Sequence, residues 1–152
     1  MKSLRYYQFV SLLIALMLSI LPLPLWVSPY RPQLLVLVVL FWIFYAPNLI
    51  NIFLLMGLGL IVDVLQVSIL GEHGFALILV YALSFLFVRR FCFFSLMQQM
   101  LLVAFLCFFY QLVISLLEIL KGHSILIEPL LIAPLASMLF WPWLVHLRFV
   151  NE

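Results

Sequence analysis

The chain has 152 residues, 69% of them hydrophobic and 8% charged, with a mean hydropathy of +1.38. A soluble domain carries about 45–50% apolar residues, so an ordinary soluble enzyme is excluded; at about 20 residues per crossing there is room for six or seven membrane spans and no separate soluble domain. The net charge of +2, with no basic run, speaks against nucleic acid as a partner.

Lys2 and Arg5 precede the uncharged residues 6–30. This apolar stretch is long for a signal peptide and ends in Pro22-Leu23-Pro24 without a small-x-small cleavage site, so it reads as an uncleaved first span over about 7–25. Ser11, Ala15 and Ser19 recur every four residues, a small-residue stripe suited to close helix packing. Pro22, Pro24, Pro29 and Pro32 stiffen the connection that follows, because each fixes φ and disfavours helix before it. Trp26 and Tyr30 are of the type that anchors at a membrane interface.

Residues 32–62 carry no charge, and Pro47-Asn48-Leu49-Ile50-Asn51 interrupts them with turn formers. Two short spans, about 30–46 and 50–68, are expected. The second contains Asp63, whose placement in mid-bilayer would cost about 2.5–3.5 kcal/mol. Gly59, Asp63 and Gln66 share one helical face, so this stretch reads as the packing centre of a membrane bundle, with a direct role of the acid in transport or chemistry as the competing reading.

Gly71-Glu72-His73-Gly74 reads as a turn or short re-entrant segment, followed by a fourth span over about 75–89 whose ends Glu72 and Arg89 reach the interfaces by snorkelling. Phe85, Phe87, Phe91, Phe93 and Phe94 surround Arg89-Arg90 as an aromatic girdle. The fifth span, about 96–119, carries Ala104, Cys107, Gln111, Ser115 and Glu118 as one stripe that should face protein, with Glu118 in reach of Lys121. The sixth, about 129–147, holds the pair Ala133 and Ser137 and ends near Trp141-Pro142-Trp143.

Six spans with both termini cytoplasmic put Lys2, Arg5, Arg89, Arg90 and Arg148 inside and only Arg31 and Lys121 outside, in keeping with the positive-inside rule. Cys92 and Cys107 show no CxxC or metal spacing, and His73, His123 and His146 stand apart. No cofactor, metal site or catalytic group is expected.

These landmarks, taken in order, resemble the MreD family of rod shape-determining proteins, most closely its gammaproteobacterial branch. They are Tyr30-Arg31-Pro32 at the entry to span two, Pro47-Asn48 with Asn51 in the link, Gly59-x-x-x-Asp63 with Gly71 eight residues after the acid, Gln98-Gln99 opening span five, and Trp141-Pro142-Trp143. The link departs from related sequences, which often carry basic residues there. The resemblance implies an all-α integral membrane protein, a six-helix bundle similar in fold to the substrate-binding subunits of energy-coupling-factor transporters. It also implies a non-catalytic scaffold of the cell-elongation machinery in the bacterial inner membrane. Such a scaffold binds MreC and through it joins MreB, RodA and a penicillin-binding transpeptidase in lateral peptidoglycan synthesis; homodimerisation is left open. The alternative is a small-molecule or lipid carrier with Asp63 and Glu118 lining a cavity. Candidate packing or partner residues are Gly59, Asp63, Gln66, Gly71, Gln99, Gln111, Glu118, Trp141 and Pro142.

Overall fold

The computed structural model describes residues 2–21, 33–122 and 127–150. Pro22, Pro24, Trp26, Pro29, the Tyr30-Arg31-Pro32 entry and His123 lie outside the described residues, as does the side chain of Arg148. Among the described residues there are six α-helices and no strand: α1 (Lys2–Ile20), α2 (Leu34–Tyr45), α3 (Ile52–Gln66), α4 (Glu72–Phe91), α5 (Leu96–Leu120) and α6 (Ile127–Val150). A single 3-10 turn, Pro47–Leu49, separates α2 from α3.

The centre of the fold is α2. Its sequence, Leu-Leu-Val-Leu-Val-Val-Leu-Phe-Trp-Ile-Phe-Tyr, has no polar face, and nine of its twelve residues are buried. A helix that is apolar all round belongs inside, and α2 touches α1, α4, α5 and α6. The broadest seams lie between α5 and α6 and between α3 and α4.

Contacts between helix ends fix an alternating course. Gln8 of α1 donates to the Leu49 carbonyl after α2, and Trp42 Nε1 of α2 donates to Ser11 Oγ at 2.8 Å, so α1 and α2 run antiparallel. Phe44 stacks on Phe91 with ring centroids 3.9 Å apart, which places the ends of α2 and α4 together. Trp141, late in α6, lies against Phe41 and Phe91. The start of α1, the end of α4 and the end of α6 therefore share one end of the bundle, the arginine end, with Arg5, Arg89 and Arg90 exposed there. Asp63, Glu72 and Lys121 gather at the opposite end.

Two elements differ from the sequence reading. The residues expected as a turn at 72–74 are the first turn of α4, which spans 20 residues. Phe91 is 1% exposed and stacked in the core, not part of an interfacial girdle, whereas Phe85 and Phe93 are exposed. Stacking on Phe44 and an edge-on contact with Trp141 win because the end of α4 packs against the end of α2.

Candidate functional site

The α3–α4 hairpin is built around Asp63. Helix α3 stops where Val67 adopts a left-handed conformation (φ 54°, ψ 37°), and the chain turns again at Gly71 with φ 96°. Glycine enters that region at no steric cost, whereas a β-branched residue there is strained. The reversal lays the first turn of α4 beside the last turn of α3. There Asp63, fully buried, accepts hydrogen bonds from the Gly71 N–H on Oδ2 (2.6 Å), and from the His73 N–H (3.1 Å) and the Ser68 hydroxyl (3.0 Å) on Oδ1. His73 Nδ1 lies 2.7 Å from the same Oδ1; the carboxylate acts as acceptor, so the imidazole presents its proton on Nδ1.

The first N–H groups of a helix lack intrahelical partners and carry the positive end of the macrodipole. The N-cap of α4 is Gly71, which has no side chain to satisfy them. Asp63 does so from the neighbouring helix. Asp63 therefore sits not at mid-span but one turn from the end of α3, in a cradle of donors.

Reach depends on Gly59, one turn earlier on the same face of α3. A Cβ placed there would lie 2.1 Å from Gly74 Cα and 2.2 Å from Gly74 N, so the two backbones are in direct contact. Small residues permit such approach where helices associate in lipid.

An ion pair extends the cluster to α5. Lys121 donates to Glu72, whose Oε2 accepts, and Glu72 is 6% exposed. The other oxygen of Glu72, Oε1, is buried without a partner. Lys121 is the C-cap of α5 and reaches across to the start of α4, rather than back to Glu118, which is exposed on the surface of α5. The buried carboxylate gains more from a cation than the solvated one. His73 and Tyr110 of α5 face each other with ring centroids 6.4 Å apart.

The remaining candidates lie elsewhere. Gln66 is exposed: three residues beyond Asp63, it is turned about 60° round the helix and away from α4. Gln111 accepts from Gln33 Nε2 at 2.6 Å, and the Gln33 N–H donates to Ser137 Oγ at 2.9 Å, a second polar node that seats the start of α2 on α5 and α6. Gln99 donates to the Phe94 carbonyl beside the capping box that Ser95 and Gln98 form at the start of α5. Trp141 is fully buried with its Nε1 unpartnered, while Pro142 is exposed within α6.

Sequence reasoning overlooked His73, Ser68, Glu72 and Gln33. The signal for the first two is spacing: five and ten residues after a buried acid, on either side of a glycine that must turn. Glu72 and Gln33 had none, because their partners are 49 and 78 residues away. The arrangement holds helices together. Both oxygens of its acid are engaged, and among the described residues no three metal-ligating side chains converge.

A sequence profile of the family described as rod shape-determining protein MreD matches residues 2–149. The chain belongs to the MreD family. A relative, the rod shape-determining protein MreD of Haemophilus influenzae, is 32% identical over 144 residues, covering 92% of this chain and 87% of that protein. No solved structure matches. MreD proteins are membrane proteins with a structural role in rod shape determination, and are not an enzyme family. Within this chain, α4 and α5 are long and apolar enough to cross a membrane; at 1.5 Å per residue they extend about 30 and 38 Å.

Proposed function

We propose that this MreD-family chain is a non-catalytic scaffold of the cell-elongation machinery. It crosses the bacterial inner membrane six times with both termini in the cytoplasm. It binds MreC, and through it MreB, RodA and a penicillin-binding transpeptidase, in support of lateral peptidoglycan synthesis. The observation that carries the reading is the complete engagement of Asp63: both oxygens accept hydrogen bonds from its own hairpin, so the acid serves to join α3 to α4, which favours the packing reading over the competing one of transport or chemistry. Sidedness is supported by the gathering of Arg5, Arg89 and Arg90 at one end, which the positive-inside rule places in the cytoplasm.

The carrier reading, drawn from a likeness to energy-coupling-factor subunits, needs Asp63 and Glu118 to face a common space. It is disfavoured because the first is buried and fully bonded while the second is exposed. The test is to tag the protein in its native cells, crosslink within the membrane, extract gently and identify what is recovered by mass spectrometry. Recovery of MreC with the elongation synthases is the expected result, and crosslinks between copies would report self-association. Recovery of a transporter energising module without MreC would overturn the scaffold.

A further inference from the structure

At the arginine end, a cavity of about 170 Å³ opens between the first turns of α1 and the turn that joins α2 to α3. Its lining includes Arg5, Gln8, Asn48, Asn51 and Leu54. Gln8 is 1% exposed and donates to the Leu49 carbonyl, which fixes the floor. Among the described residues the side chains of Arg5, Asn48 and Asn51 have no such partner. Among the described residues no carboxylate pairs with Arg5. Asn51 is the N-cap of the 15-residue α3 yet makes no side-chain cap hydrogen bond, so its amide and the first N–H groups of α3 stay available on this side. Guanidinium, amides and the positive end of a helix thus line one cavity, with no anion among the described residues around it.

We propose that this cavity binds the phosphate of an anionic phospholipid headgroup. Its setting favours a lipid as the source of the phosphate. Tyr6, Tyr7 and Phe9 on α1 and Phe53 on α3 are exposed beside it, large apolar side chains on which acyl chains can lie. Aromatic residues of this kind sit at headgroup level. Basic pockets between membrane helices on the cytoplasmic side hold anionic headgroups. The link between α2 and α3 has no basic residue of its own, and α1 supplies one from a distance of more than 40 positions in sequence. The proposal rests on placing this end in the cytoplasm, but not on any protein partner.

The test is native mass spectrometry of the purified full chain, released from nanodiscs of phosphatidylglycerol mixed with phosphatidylcholine. The native chain should retain one phosphatidylglycerol in preference to phosphatidylcholine. Arg5→Gln should lower that retention about fivefold, the factor that one basic residue near an anionic surface is worth. Arg90→Gln, which removes an exposed charge from the same end but not from the cavity, should leave it unchanged. No preference for phosphatidylglycerol, or equal losses in the two variants, would overturn the proposal. Displacement of the lipid by millimolar inorganic phosphate would assign the cavity to the free ion and overturn the lipid as occupant. The purified chain carries no partner, so failure here leaves the MreC reading standing, and failure of co-purification leaves this site standing.

Discussion

Gly59 and Gly74 meet across the α3–α4 seam, yet alanine should act oppositely at the two positions. At Gly59 the new Cβ falls 2.1 Å from Gly74 Cα, backbone that no rotamer change can clear. Ordinary contact begins near 3.4 Å, so the helices must part by at least 1.3 Å. The hydrogen bond from the His73 N–H to Asp63 is already 3.1 Å long and would pass beyond the usual limit of about 3.2 Å. Overpacking costs about 1–3 kcal/mol and weakened bonds to a buried carboxylate about as much again, about 2–6 kcal/mol in all. That is a large part of a typical stability of about 5–15 kcal/mol. At Gly74 the new Cβ lies 3.5 Å from the Met56 carbonyl oxygen and 3.8 Å from Gly59 Cα, ordinary contacts, and replacing a helical glycine gains up to about 1 kcal/mol. Thermal unfolding of the purified chain in detergent, with rescue of rod shape in cells lacking the protein, reads both. Gly59→Ala should melt far lower and fail to rescue, and Gly74→Ala should match the native chain or exceed it. Equal effects at the two positions would refute the backbone-contact reasoning.

Asp63→Asn should also destabilise, by about 1.5–3 kcal/mol, because every group around it donates. Whichever way the amide is turned, its NH₂ meets the Gly71 N–H or the donors of Ser68 and His73; an unchanged melting temperature would show the carboxylate is not needed as a double acceptor. Consequently, loss of function in this variant does not by itself indicate proton chemistry. Lys121→Ala should cost about 3–5 kcal/mol by leaving Glu72 buried and unpaired, and Glu72→Leu combined with Lys121→Leu should recover most of it in a double-mutant cycle. Val67→Gly should stabilise by about 1–3 kcal/mol, since Val67 is 92% exposed and loses no packing while its left-handed strain is relieved; a lower melting temperature would contradict this. Trp141→Phe should cost less than the about 3–5 kcal/mol of truncation to alanine, because Trp141 Nε1 has no partner to lose.

Much of the helical architecture is local and was legible in the chain. Apolar runs broken by Pro47 and by Gly71 delimit helices, and the small residues at Ser11, Gly59 and Ser137 mark surfaces where helices come close, because such features depend on neighbours within a few turns. The role of Asp63 was legible only in part. Its spacing to Gly59 placed both on one face, but its depth and its partners depend on where α3 ends, and that is decided by Val67 entering a left-handed turn. Long-range pairings were invisible. The choice of Glu72 over Glu118 by Lys121, of Ser137 by the Gln33 N–H, and the withdrawal of Phe91 from the surface all follow from which helices lie side by side. Periodicity says which face of a helix is apolar or polar. Only the assembled bundle says which partner that face meets, because burial raises the cost of an unpaired charge or donor far above any preference written in the local sequence.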